Sequence, residues 1–217
     1  PIKYLNIKRT TSYHGSEVLD NITSASNIRK LYLSDNTIDN LIPFDKKYLY
    51  KIDMNKYYDI LKYKILTEDT SISKYQTVDE GIESRIIKSI YTSNNYEELI
   101  QNIKTKRYTY NKLNRMFTHI LTNFKKEDNE ELEINYVRLL GFNKRGRSYL
   151  NKIKKDMEIP VVTGYNKIND KIFNIEKRVS YIYSLLIVNS DSYLEEENKN
   201  KPIILMWWLG FIFGNVD

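Results

Sequence analysis

Ile2-Lys3-Tyr4-Leu5-Asn6-Ile7-Lys8-Arg9 is the stretch that decides how the chain is to be read. Its apolar residues recur at Ile2 and Tyr4 and, with a slip of one place, at Leu5 and Ile7, the near-alternation of a half-buried strand. The polar run Thr10 to Gly15 then reads as a loop. Ser24-Ala25-Ser26-Asn27-Ile28-Arg29 opens a helix near Ala25, capped by Ser24 or Thr23, with Ile28 and Leu31 turned inward. Beyond this point the chain is patterned as helices. The order predicts the last strand and closing helix of an α/β domain joined to a helical domain, with the remainder of the α/β domain absent from the chain. Asp35 to Asn40 breaks the helical pattern and Pro43 marks a boundary. The predicted division is therefore residues 1–45 for the end of the α/β domain and 46–217 for the helical one.

The helical part has several well-marked elements. Asn55 to Leu66 carries Tyr58, Leu61, Ile65 and Leu66 near helical spacing, and Thr77-Val78-Asp79-Glu80 reads as a capping box ahead of Ile82, Ile86 and Ile90. Asn94 caps a short helix with Tyr96, Leu99, Ile100 and Ile103 inside. Thr109 caps the next, whose stripe of Leu113, Met116, Phe117, Ile120 and Leu121 is the clearest helical periodicity in the chain. Tyr136 to Leu140 predicts a further helix ending at Gly141, and a tight Phe142–Gly146 connection leads to Ser148–Lys155. Ile159 to Thr163 predicts a short edge strand, Ile172 to Val188 the last long helix, and Glu195 to Lys201 a charged loop. The apolar run Ile203 to Phe213 is too short to span a bilayer and predicts a buried strand or helix, with an exposed apolar patch as the alternative.

Composition narrows the chemistry. There is no cysteine and there are only two histidines, His14 and His119, which removes disulfides, thiolate metal sites, a cysteine nucleophile and a multi-histidine metal centre. Seven Gly and four Pro in 217 residues favour helices over an all-β fold. No secretory leader is recognisable, and the default expectation is a cytoplasmic protein without membrane attachment. The 19 tyrosines, with abundant Asn, Ile and Lys, read first as compositional background and only second as affinity for RNA.

The net charge of +6 matters less than its distribution. Lys104, Lys106, Arg107, Lys112 and Arg115 form one block without an acid inside it; Arg138, Lys144, Arg145, Arg147, Lys152, Lys154 and Lys155 form another. Acids gather instead at Glu127–Glu133 and Glu195–Glu197. Segregation of this kind suits a polyanion-binding face, and equally a solvated helical surface.

Three constellations have chemical potential. Arg9, closing a strand, and the Ser24, Ser26, Arg29 helix start combine a cation, hydroxyls and free helix N–H groups, a set suited to phosphate oxygens. An ordinary cap with a surface arginine is the competing reading. Lys106, Arg107, Tyr108 and Arg115 place cations and stackable rings around a helix start, against the alternative of Tyr108 packed inward. Gly141 to Gly146, with Lys144 and Arg145, reads as a backbone-binding hairpin or as a plain turn with solvated cations. His14 reads as a loop histidine and His119 as a packing residue.

Taken together, Ile7-Lys8-Arg9 with Tyr13-His14, Ser24-Ala25-Ser26-x-Ile28-Arg29, Leu61–Leu66, Glu80-Gly81-Ile82-Glu83, Thr105-Lys106-Arg107-Tyr108-Thr109 with Arg115, Val137-Arg138-x-Leu140-Gly141-Phe142-Asn143-Lys144, and Ile159–Thr163 resemble the C-terminal half of the bacterial tRNA(Met) cytidine acetate ligase family, within the nucleotidylyltransferase superfamily. The resemblance runs from about Ile2 to Pro202. It implies a mainly α chain in which the end of a Rossmann-like α/β nucleotidyltransferase domain precedes a helical C-terminal domain that binds tRNA. It further implies activation of acetate by ATP to acetyl-adenylate, then acetylation of N4 of the wobble cytidine of elongator tRNA(Met). By the family pattern, Arg9, Ser24, Ser26 and Arg29 are ATP-binding, and Lys106, Arg107, Tyr108, Arg115, Lys144 and Arg145 face the tRNA. ATP is a substrate, with the participation of Mg left open, and no protein-bound metal is implied. The family's paired-histidine motif has no counterpart here, so the chain alone is expected to be an inactive fragment. Gly15 stands where the family usually has Asp. The alternative is a non-catalytic helical tRNA-binding module.

Overall fold

Helix α5 (Tyr110–Leu121) buries Leu113, Met116, Phe117, Ile120 and Leu121, the full stripe its sequence displays. It packs on α2 (Met54–Leu66) through Tyr58, Leu61 and Ile65. α3 (Ile82–Thr92) and α4 (Tyr96–Ile103) complete one continuous core with Ile82, Ile86, Ile90, Leu99, Ile100 and Ile103. Each such aliphatic side chain contributes about 1.5–3 kcal/mol when removed from water. The aromatic rings meet edge to face, Tyr57 on Tyr96 at 5.1 Å and Tyr96 on Phe117 at 6.1 Å. The Tyr58 hydroxyl donates to the Ser93 carbonyl, so its polar end is satisfied inside the core.

The computed structural model describes residues 8, 10–12, 15–68, 70–130, 133–164, 170–188, 192–199 and 201–205. The chain divides into two compact units, Pro1–Ile52 and Asp53–Asp217, a division seven residues beyond the junction read from Pro43 and Lys46. The strand expected over Ile2–Arg9 lies outside the described residues, apart from Lys8.

In the first unit, α1 (Ala25–Leu33) starts where the sequence places it, with Ser24 as its cap. It ends in a Schellman arrangement: Asp35 at φ 56° donates to Tyr32 O and Asn36 to Leu31 O. Ahead of it, Leu19 and Ile22 exchange two backbone hydrogen bonds (3.0 and 2.7 Å) around Asp20 and Asn21, both left-handed, the geometry of a type I′ turn.

In the second unit the helices continue through α6 (Lys126–Glu130) into a small α/β region. Strand β1 (Val137–Arg138) pairs in parallel with β3 (Val161–Val162), and β2 (Gly141–Asn143) pairs in parallel with β4 (Ile203–Leu205). α7 (Lys144–Ile153) lies between β2 and β3, and α8 (Lys171–Leu186) and α9 (Tyr193–Lys199) between β3 and β4. α8 returns against α2, where the Asp53 N–H donates to Leu186 O at 2.8 Å.

The mainly α composition agrees with the sequence, but several local readings need correction. Tyr136–Leu140 is extended rather than helical, because its backbone is used from outside: Val137 N donates to Pro160 O (3.0 Å), Leu139 N to Val162 O (2.9 Å), and Leu140 O accepts from Ile203 N (2.9 Å). Thr77–Glu80 makes no capping box, since Gly81 is the left-handed residue before α3 and the Thr77 hydroxyl turns to His119. The cap of α4 is Asn95, one place later than Asn94, accepting from Glu98 N at 2.9 Å. Glu195–Lys199 is helical, held by a Lys199–Glu195 pair one turn apart at 3.0 Å. Ile203–Leu205 is a strand but is exposed, and residues 206–217 are outside the described part of the chain.

Candidate functional site

The start of α1 is built by two side chains. Ser24 is buried; its hydroxyl accepts from the Asn27 N–H and donates to Gly15 O, both at 3.1 Å. Asn27, also buried, donates through Nδ2 to Ser16 O (3.1 Å) and to Thr23 Oγ1 (3.0 Å). These bonds hold the loop from Gly15 against the first turn and commit the Ser24 hydroxyl to the fold. Ser26 and Arg29, three residues apart and so on one face, are both exposed. Neither side chain has a hydrogen-bond or ion-pair partner among the described residues. The outward groups at this helix start are thus a hydroxyl, a guanidinium and the first unpaired N–H groups, all donors to an anion. Arg9, Tyr13 and His14 lie outside the described residues.

The second constellation centres on the turn Thr105–Tyr108, closed by Thr105 N to Tyr108 O (3.1 Å) and Tyr108 N to Thr105 Oγ1 (3.0 Å). Tyr108 is buried in the core; its hydroxyl donates to Asp79 O (3.0 Å) and Glu80 Oε2 (3.2 Å), and Lys112 Nζ covers its ring at 4.5 Å. Burial, and then the Glu80 carboxylate, raise its pKa and keep the hydroxyl a donor. Tyr108 therefore anchors the turn and has no open ring face, because the neighbouring helices already cover it. The residue that sequence reasoning missed is Glu80, which pairs with the exposed Arg107 guanidinium. Its place in the Thr77–Glu80 and Glu80–Glu83 motifs carried no sign of this pairing. Asp79 pairs likewise with Lys126 at 2.7 Å. Lys106 and Arg115 are exposed and without ion-pair partners among the described residues.

Next to this turn, Thr77 and Glu80 have left-handed backbones (φ 71° and 63°), a strained state for a β-branched residue such as Thr77. His119 Nδ1 lies 2.9 Å from Gln76 O and 3.1 Å from Thr77 Oγ1. A carbonyl only accepts, so Nδ1 carries the proton and Nε2 has the lone pair in the neutral ring. Burial lowers the His119 pKa against the raising effect of the Gln76 carbonyl, and Arg115, one turn away, lowers it further.

The third constellation is α7. Asn143 caps it, accepting from Gly146 N at 2.8 Å. From Lys144 to Lys155 the chain has six cations and no acid, and α7 buries none of its residues. Lys144, Arg145, Ser148, Tyr149 and Lys152 line an open depression of about 410 Å³. Arg138, grouped with this block in the sequence, is spent elsewhere: it bridges Glu176 (3.4 Å) and Glu197 (3.3 Å), tying β1 to α8 and α9. Among the described residues no cluster of acidic or histidine side chains could hold a metal ion, and no helix is long and apolar enough to cross a membrane.

Comparison with known proteins gives a consistent set of likenesses. The model of the HIGH nucleotidyl transferase family matches residues 1–199. That match begins at the first residue and gives no support to the expectation of a C-terminal half. A tRNA(Met) cytidine acetate ligase of Anoxybacillus flavithermus is 34% identical over 223 residues, covering 93% of this chain and 56% of the relative. One of Clostridium perfringens is 35% identical over 215 residues, covering 94% and 53%. The chain thus spans about half the length of the curated relatives it matches. The crystal structure of apo Thermotoga maritima TmcAL superposes with a TM-score of 0.76 at 20% identity, covering 94% of this chain and 56% of that one. The same protein bound with alpha-thio ATP gives 0.68 over 84% of this chain and 52% of that one. At this identity the structural likeness concerns the fold.

Proposed function

The chain belongs to the HIGH nucleotidyl transferase family, and on that premise we propose that it serves an ATP-dependent ligase that activates acetate as acetyl-adenylate and acetylates N4 of the wobble cytidine of elongator tRNA(Met). The relatives bearing that name are the source of the substrates. In this reading the first unit belongs to a Rossmann-like nucleotidyltransferase domain and the second is a tRNA-binding domain. Ser26 and Arg29, together with Arg9, contact the ATP phosphates; Ser24 fixes the helix start from which they project. Lys106, Arg107 and Arg115 face the tRNA, as do Lys144 and Arg145, while Tyr108 holds the turn that carries Arg107.

The chemistry suits these residue types. Acetate attack on the α-phosphate puts charge on phosphate oxygens and on the departing pyrophosphate, which arginine and helix-start donors stabilise. The later transfer to N4 requires an accessible base, as enzymes acting on bases generally do. The observation that supports the RNA half most directly is the six-cation, acid-free run from Lys144 to Lys155, begun on a helix that buries nothing. Solvation alone does not require such segregation.

The test is mass spectrometry of tRNA nucleosides after incubating the full-length protein with elongator tRNA(Met), acetate and ATP. Appearance of N4-acetylcytidine supports the ligase. Salt-sensitive tRNA binding without acetylation supports the non-catalytic module. Absence of both removes the proposal.

A further inference from the structure

We propose that α7 is a reading helix for an unpaired nucleotide: Tyr149 stacks on an exposed base while Lys144, Arg145 and Lys152 hold the flanking phosphates. The inference rests on the RNA-binding reading above and adds to it the form of RNA taken at this place.

Tyr149 is 62% exposed and its hydroxyl and ring have no partner among the described residues. A helical side chain lies over the turn before it, so the ring of Tyr149 covers the turn of Arg145 and Gly146. Arg145 lies four residues before Tyr149 and Lys152 three after, so cations border the ring along the helix in both directions. Lys144, Ser148 and Lys152 follow one another at four-residue spacing and complete the wall of the depression.

The electrostatics are those of a surface lacking its counterpart. Lys144 and Arg145 occupy the first turn, the end where the helix dipole disfavours cations. Lys144, Arg147, Lys152, Lys154 and Lys155 make no ion pair among the described residues. An anion laid along this face relieves both penalties. A duplex backbone would satisfy the cations but leave Tyr149 facing sugar and phosphate. A splayed-out base satisfies both, because every base offers a π-face to an aromatic ring.

The experiment compares two RNAs on the full 217-residue chain by fluorescence anisotropy: a stem capped by an unpaired loop carrying a fluorescent purine analogue, and a blunt duplex of the same strand length. The chain is expected to prefer the looped RNA by about tenfold, the scale of one base–aromatic stack. Tyr149→Ala is expected to remove that preference and the quenching of the analogue, leaving duplex affinity unchanged; Tyr149→Phe is expected to keep both. Lys152→Ala is expected to weaken both RNAs and flatten the salt dependence. Equal affinity of the chain for loop and duplex overturns the inference, as does a Tyr149→Ala variant that binds the loop undiminished. Heparin displacing RNA equally from the native chain and from Tyr149→Ala overturns it too, marking a plain anionic partner. If salt-sensitive tRNA binding persists in those cases, only this inference falls; if no RNA binds, the RNA-binding reading falls with it. Tyr149 is exposed, so a circular dichroism spectrum unchanged from the native chain checks that its variants fold.

Discussion

The Glu80 carboxylate holds the Arg107 guanidinium and accepts a hydrogen bond from the Tyr108 hydroxyl at 3.2 Å, so one side chain governs two neighbours on the basic turn. Arg107 is exposed, and the pair competes with any phosphate that approaches it. Glu80→Gln keeps an acceptor for Tyr108 and releases Arg107. The expected outcome is RNA affinity raised by up to about fivefold, matching the roughly 1 kcal/mol ceiling of an exposed pair. Filter binding across a salt series reads it, with a steeper slope as the second sign.

Lys106→Ala with Arg107→Ala removes the two outward cations of that turn. In the full-length enzyme, binding of tRNA is expected to fall by about tenfold, with acetyl-adenylate formation spared. Pyrophosphate release and filter binding, measured side by side, separate the two effects. Equal loss of both steps would refute the assignment to RNA.

The nucleotide half is tested at the other helix start. In the full-length enzyme, Arg29→Ala, and likewise Arg9→Ala, is expected to impair acetyl-adenylate formation before tRNA binding. Ser24→Ala is expected to act through the fold instead. It removes the cap bond to Asn27 N and the bond to Gly15 O, at a cost of about 1 kcal/mol seen in urea denaturation.

Glu68 gives an acid-sensitive tie between α2 and the turn before α3. Lys74 (2.7 Å), Lys64 (2.9 Å) and Tyr75 surround its carboxylate. Burial opposes ionisation, but the bonds from Lys74, Tyr75 and Lys64 prevail and bring its pKa down to about 2 from 4.5. The folded value lies below the unfolded one, so its stabilisation is full above about pH 4.5 and is lost as the pH falls toward 2. Glu68→Gln is expected to lose about 2 kcal/mol at neutral pH and to show a shallower acid limb in thermal melts.

His119 titrates in the same sense from a different cause. Its folded pKa is lowered, so the unfolded chain binds the proton more readily and stability declines as pH falls below the ordinary value of 6.5. Arg115→Gln removes one lowering charge. The His119 pKa, read by NMR of its ring protons, is expected to move upward, and an unmoved value would refute the electrostatic contact.

The helical core was legible in the sequence because its signal is local. Leu113, Met116, Phe117, Ile120 and Leu121 mark one face without reference to anything outside α5, and all five are buried. The Val137–Asn143 segment was not, because its conformation is decided by Val161–Val162 and Ile203–Leu205, far along the chain. Its Leu139-Leu140 pair fits either period over so short a run. The site shows the same division. Ser24 as a cap followed from residue type and position, whereas the Glu80–Arg107 pair joins residues 27 places apart and had no local sign. Tyr108 matched a stacking pattern by composition, yet its ring was required by the packing of α5 and the Asp79–Glu80 turn.

The parallel ladder between β2 and β4 has a bearing on how the molecule is made. The bundle core draws its buried residues from Tyr58 to Leu121, so a ribosome that has released α5 has delivered all of them, and Ile182 of α8 packs against the core later. Gly141, by contrast, waits for Ile203, with α7, β3, α8 and α9 translated in between. Closure over such a span is slow relative to local helix pairing. During that interval β2 presents an unpaired edge next to the cations of α7, whose mutual repulsion discourages a second nascent chain from docking there.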